Sequence, residues 1–194
     1  MGDIVTMDDL TNQEIVAVLD DAERLVPVAR GDVYLPLLQG KVLANMFFEN
    51  STRTRMSFET AMKRLGGSVL NFTSIGTSVA KGETLYDTMQ MIDGYADVAA
   101  IRHPRQGAAQ YSADAVEIPI LNAGDGAGNH PTQTMLDLFT IRQAHGTLEG
   151  LNVVLVGDLR YGRTVHSLSH ALVRFGAKLT LVSPSTLKMP TEIV

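Results

Sequence analysis

Short apolar runs and amphipathic stretches take turns along nearly the whole chain, and that alternation limits the fold more than any other feature. Val42-Leu43-Ala44-Asn45-Met46-Phe47-Phe48 is mostly apolar yet too short for a typical helix, so it reads as a strand buried on both faces. Phe58, Ala61, Met62 and Leu65 then recur at helical spacing, and Gly66-Gly67 stops that helix. Val69 to Phe72 predicts the next strand, and residues 74–82, small, polar and Gly-containing, predict a loop. Leu85, Met89 and Ile92 mark a helix. Val98 to Ile101 and Ile118 to Leu121 read as strands. Pro131 suits a first helical turn, with Met135, Leu138 and Phe139 forming the apolar face behind it. Val153 to Asp158 is the clearest strand; Val165, Leu168 and Leu172 supply a helix, Gly176 ends it, and Leu179 to Val182 is a last strand. Ahead of all these, Thr11 and Glu14 have capping-box spacing, Ile15, Val18, Leu19 and Ala22 follow as a helix, and Pro27 and Gly31 end or bend it. Strand and helix in alternation predict an α/β fold with a parallel sheet.

Length and composition narrow the function. The 194 residues suit one large domain or two small ones, and 45% hydrophobic with 19% charged residues is ordinary for a globular protein. With 16 basic and 21 acidic residues the net charge is −5, which argues against nucleic acid as the main partner while leaving room for a local basic pocket. There is no cysteine, so disulfides and thiolate metal sites are excluded. With five histidines and no cysteine, a metal site has little support. No apolar stretch is long enough to span a bilayer and the first residues lack a signal-peptide run, so a cytoplasmic protein is expected. Gly146 and Gly150 suggest a boundary between a unit of residues 1–149, its last helix near 131–145, and a unit of residues 150–194. The second is short for a core of its own, and the chain reads as cut inside it.

Ligands of open α/β sheets sit at the carboxyl ends of the strands. After Phe48 comes Glu49-Asn50-Ser51-Thr52-Arg53-Thr54-Arg55, within which a helix begins. Unpaired backbone N–H groups, three hydroxyls and two arginines at one helix start make an anion site without a Gly-rich loop. The alternative is a capping serine before two solvated arginines. Arg102-His103-Pro104 ends another strand, as an arm of the same crevice or a plain surface turn. Asn122 to Asn129 contains three glycines that permit close backbone approach, or simply a flexible turn, and leads to His130-Pro131-Thr132-Gln133. A histidine at a helix start tends to be neutral and could donate a hydrogen bond to a carbonyl. Gly157-Asp158-Leu159-Arg160-Tyr161-Gly162-Arg163-Thr164 is no dinucleotide fingerprint, but Arg163 opens a helix there. Lys81 stands in the 74–82 loop, where a lone lysine is usually just solvated.

Together these segments resemble the catalytic chains of aspartate carbamoyltransferases. Phe48 to Arg55 resembles the carbamoyl phosphate signature of the wider aspartate/ornithine family. Lys81-Gly-Glu-Thr84, Arg102-His-Pro104, Asn122 to Gly126, His130 to Gln133 and Gly157 to Thr164 resemble the aspartate-specific pattern, in order. The resemblance implies a parallel-sheet carbamoyl phosphate domain followed by the start of a second, Rossmann-like α/β domain. It implies transfer of the carbamoyl group from carbamoyl phosphate to the amino group of L-aspartate, a step of pyrimidine synthesis, with no metal or organic cofactor. Ser51, Thr52, Arg53 and Thr54 would then bind the phosphate. Thr54, Arg102 and His130 would polarise the carbonyl, Gln133 would hold the carbamoyl nitrogen, and Arg163 would take a carboxylate of aspartate. The active unit would be a homotrimer in which Lys81 and a loop hydroxyl, Thr77 or Ser78, enter the neighbouring site. Regulatory chains or a dihydroorotase are further partners the resemblance allows. The family's later Arg-x-Gln motif is absent, so activity of this chain by itself is not implied. The alternatives are a non-catalytic short paralogue that binds carbamoyl phosphate, and an ornithine carbamoyltransferase, which Lys81 opposes.

Overall fold

The computed structural model describes residues 2–73, 81–191 and 193. Among the described residues six parallel strands alternate with six α-helices: α1 (Asn12–Arg30), β1 (Val42–Phe47), α2 (Arg53–Arg64), β2 (Ser68–Thr73), α3 (Leu85–Asp93), β3 (Val98–His103), α4 (Ala108–Ala113), β4 (Ile120–Asp125), α5 (Pro131–His145), β5 (Asn152–Val156), α6 (Arg163–Arg174) and β6 (Lys178–Val182). The first four strands form one sheet in the order β2-β1-β3-β4, and β5 and β6 pair separately. The chain thus steps outward from β1 to β2, returns past β1 to β3, and continues to β4.

Local chemistry explains the element ends. Thr11 Oγ1 accepts from the Glu14 N–H and Glu14 Oε2 from the Thr11 N–H, closing the expected capping box. Pro27 does not end α1; the helix runs one more turn to Gly31, whose φ of 87° suits glycine. β1 is buried on both faces as its composition requires. Ala44 and Met46 pack among Met89 and Ile92 of α3, Ala99 and Ile101 of β3 and Ala109 of α4. Leu43 turns the other way, to Met62 of α2 and Ala100. Full burial of Met46, Ile101 and Ile120 stabilises the sheet by about 1.5–3 kcal/mol each.

One expectation changes, and two features went unread. The strand expected at 118–121 begins at Ile120 and runs through Asn122-Ala123-Gly124 to Asp125, where a loop was expected. The polar residues are satisfied: Asn122 Nδ2 donates to the Val5 carbonyl and Asp125 Oδ1, and Asn122 Oδ1 accepts from the Gly124 N–H. The short α4 carries too few apolar positions to announce itself. The clearest predicted strand, β5, is poorly covered, with Val154 57% and Val156 71% exposed.

The β5–β6 pair is not isolated from what precedes it. Leu155, Leu168 and Leu172 share one apolar cluster with Leu19 of α1 and Leu138 of α5. Among the described residues no helix is long and apolar enough to cross a membrane.

Candidate functional site at the carboxyl edge of the sheet

A sheet whose strand order reverses direction opens a crevice at its carboxyl edge, here between β1 and β3. The connections that leave β1, β3 and β4 converge there on a cavity of about 590 Å3. Arg53 and Thr54 of α2, Arg102 of β3, His130 and Gln133 at the start of α5, and Thr164 of α6 line it. Residues far apart in the chain and expected from their local surroundings to act together therefore share one cavity.

The helix starts differ according to where they lie. Away from the cavity, α1 opens on its capping box and α3 on another, between Thr84 and Asp87. At the cavity, α2, α5 and α6 open without a side-chain cap, as does the short α4. An uncapped first turn leaves N–H groups and the positive end of the helix dipole for an anion. Arg53 adds a full charge at the first position of α2.

Arg102 is a largely enclosed cation of the site. Its side chain is 11% exposed, and Nη2 donates to Glu49 Oε1 at 3.0 Å. Nη1 reaches the Ala123 carbonyl at 3.5 Å, and Nε is buried with no hydrogen-bond partner among the described residues. Glu49, 33% exposed on the β1–α2 connection, thus holds a charge that an anionic ligand would also attract. His103, next in β3, accepts from the Arg105 N–H through Nδ1 and lies against Phe48. Burial, and then the charge of Arg105, hold its imidazole below the usual histidine range.

His130 occupies the N-cap position of α5 and is buried. Its backbone N–H donates to Ser167 Oγ at 3.3 Å, and Nδ1 lies 3.3 Å from Thr132 Oγ1. One turn on, Gln133 Nε2 donates to Asp137 Oδ1 at 3.0 Å. Burial pushes the Asp137 carboxyl above the usual carboxylate range, while the Gln133 bond pulls the other way.

Ser51 and Thr52 lie just ahead of Arg53 in the same turn but do not line the cavity. Lys81 is exposed and also does not line it. Thr77 and Ser78 fall outside the described residues. Arg163 opens α6 as expected. Sequence reasoning missed Thr164, Glu49 and Asp137. Asp137 had a readable signal, because Gln and Asp four apart on a helix form a pair. Glu49 had none, since its partner is 53 residues away. Among the described residues no group of three or more His, Cys, Asp or Glu is placed to hold a metal ion.

Arg53, Arg102 and His130 beside an uncapped helix start, at the carboxyl edge of a parallel sheet, define an α/β chain with a cavity suited to an anion. Residues 2–143 match the family model of the aspartate/ornithine carbamoyltransferase carbamoyl-P binding domain, and the chain belongs to that family. Among its relatives, the aspartate carbamoyltransferase catalytic subunit of Archaeoglobus fulgidus is 51% identical over 100% of this chain and 65% of its own length. That of Methanothrix thermoacetophila is 55% identical over 98% of this chain and 62% of its own. The solved catalytic subunit of M. jannaschii aspartate transcarbamoylase superposes with a TM-score of 0.92 at 49% identity, over 100% of this chain and 64% of that one. The Trypanosoma cruzi aspartate transcarbamoylase in complex with carbamoyl phosphate and aspartate gives 0.95 at 44% identity, over 99% and 61%. The chain therefore spans less than two thirds of the length of these relatives.

Proposed function

We propose that this chain binds carbamoyl phosphate in the cavity between β1 and β3 and belongs to an enzyme that transfers the carbamoyl group to the amino group of L-aspartate. The observation that carries the reading is the convergence of Arg53, Thr54, Arg102, His130 and Gln133 on one cavity. It is supported by the family membership and by the substrates bound in the T. cruzi relative.

The chemistry follows from the donors. The phosphate takes Arg53, Thr54 and the first-turn N–H groups of α2, with Ser51 and Thr52 of the same turn closing on it once bound. Arg102 and His130, with Thr54, face the carbonyl oxygen, where negative charge develops as the amine attacks. Donors fixed in place before the reaction stabilise that charge without reorganisation. In the tautomer where Thr132 Oγ1 donates to Nδ1, the His130 ring donates through Nε2. Gln133 holds the carbamoyl nitrogen, and Arg163 takes a carboxylate of aspartate. Holding both reactants in register supplies much of the rate.

On this reading residues 1–149 form the carbamoyl phosphate domain, and residues 150–194 begin a Rossmann-like aspartate domain. The exposed Val154 and Val156 supply a sheet face for the remainder of that domain to cover. The unit is a cytoplasmic homotrimer in which Lys81, with Thr77 or Ser78, serves the neighbouring subunit's site.

The test is calorimetric titration of the chain with carbamoyl phosphate at several protein concentrations, with Arg53→Ala beside it. Losing one charge-assisted contact should weaken binding by about 1.5–3 kcal/mol, more than tenfold. Unchanged affinity in Arg53→Ala would refute the phosphate site.

A further inference from the structure

We propose that Asp137 is a positioning residue that fixes the carboxamide of Gln133 with its oxygen toward the cavity, so that the site selects a ligand carrying an NH2 donor beside its carbonyl. The proposal rests on the carbamoyl phosphate reading above and adds a residue and a selection rule to it.

A carboxamide has a donor side and an acceptor side of nearly the same shape. Its terminal torsion is broad and roughly two-fold, so the side chain alone does not choose between them. The partner chooses. An ionised carboxylate only accepts hydrogen bonds. Asp137 Oδ1, 3.0 Å from Gln133 Nε2, therefore admits the NH2 side alone, and Oε1 is the amide atom left for the cavity that Gln133 lines. A hydroxyl or amide at position 137 could donate as well as accept and would tolerate the overturned form. The pair sits four residues apart on α5, a spacing that holds the two side chains together along one helix face.

Electrostatics alone would argue against a carboxylate here. Asp137 is half-buried, and burial works against its charge. It also stands one helical turn from a residue of a cavity whose other walls carry Arg53 and Arg102 for an anion. Orienting Gln133 accounts for it. The cavity then has two chemically distinct ends. Arg102 and His130 offer donors to a carbonyl oxygen, and Gln133 Oε1 offers an acceptor to the group on the other side of the carbonyl carbon. Carbamoyl phosphate fills both. Acetyl phosphate, with a methyl in place of the amino group, leaves Oε1 facing an apolar group and forfeits that hydrogen bond.

The experiment is calorimetric titration of the chain with carbamoyl phosphate, acetyl phosphate and inorganic phosphate, for the wild type, Asp137→Asn, Asp137→Leu and Asp137→Glu. Removing a negative charge strengthens all three anions alike, so the readout is the ratio of acetyl phosphate to carbamoyl phosphate dissociation constants. The wild type should prefer carbamoyl phosphate by roughly threefold to tenfold, the worth of one hydrogen bond. Asp137→Asn and Asp137→Leu should bring the ratio toward one while still binding inorganic phosphate, which certifies a folded site. Asp137→Glu keeps an acceptor-only group and should keep the preference. A wild-type ratio retained in both Asp137→Asn and Asp137→Leu would overturn the proposal and leave carbamoyl phosphate binding standing. So would a wild type that binds both acyl phosphates equally. A wild type that binds none of the three anions would overturn this proposal together with the functional reading beneath it.

Discussion

Glu49→Gln should tighten carbamoyl phosphate binding, and the structure sets the size of the effect. Arg102 donates to Glu49 at 3.0 Å, with the arginine 11% and the glutamate 33% exposed. At an effective dielectric of about 20 the bare attraction at that separation is about 5 kcal/mol. Solvent reaching Glu49 screens much of it, and glutamine keeps an oxygen for the Nη2 hydrogen bond. The difference that remains is about 1–2 kcal/mol, between a surface pair and a charge-assisted bond. A ligand that draws Arg102 toward its carbonyl must overcome that amount, so removing the charge should improve affinity by roughly 5- to 30-fold. Calorimetric titration of both forms at one ionic strength reads it, and raising the salt should shrink the gap. Weaker binding by Glu49→Gln would mean that Glu49 aims Arg102 at the ligand instead of competing for it, and the reasoning would fail.

The other predictions concern the scaffold of the site. Gly126→Ala should destabilise the chain by about 2–4 kcal/mol in denaturant unfolding, since φ is 56° and a Cβ would meet the Pro104 carbonyl oxygen at 2.8 Å and the Gln106 nitrogen at 2.9 Å. A loss under 1 kcal/mol would mean that the two connections part easily. His103 should titrate below 6.5 by NMR, because burial and Arg105 disfavour its cation. With the folded value depressed, the unfolded chain binds the proton more readily. Its contribution to stability is present above 6.5 and is lost as pH falls from there through the folded value. A midpoint at or above 6.5 would contradict that assignment.

Much of the fold was legible because its signals are local. The α1 capping box is complete in four residues, the β1 run is too short for a helix and too apolar for a loop, and Pro131 marks the start of α5. The candidate site was legible as fragments for the same reason: hydroxyls and arginines beside a helix start, a histidine and a glutamine three apart. β4 was misjudged beyond Leu121 because Asn122 and Asp125 look like turn residues. Their bonds to Val5 and Gly107 exist only once distant chain segments meet.

Alternation, end signals and the chemistry offered at each strand terminus were thus settled by residue order alone, through short-range sterics and hydrogen bonding. Which termini become neighbours was settled by strand order. Placing β1 between β2 and β3 brings Arg53, Arg102 and His130 to one cavity, pairs Arg102 with Glu49, and sets the Gln133–Asp137 pair at its wall. The exposure of Val154 and Val156 on β5 has the same reason: an apolar pattern marks a face that calls for a cover, and only packing decides what covers it.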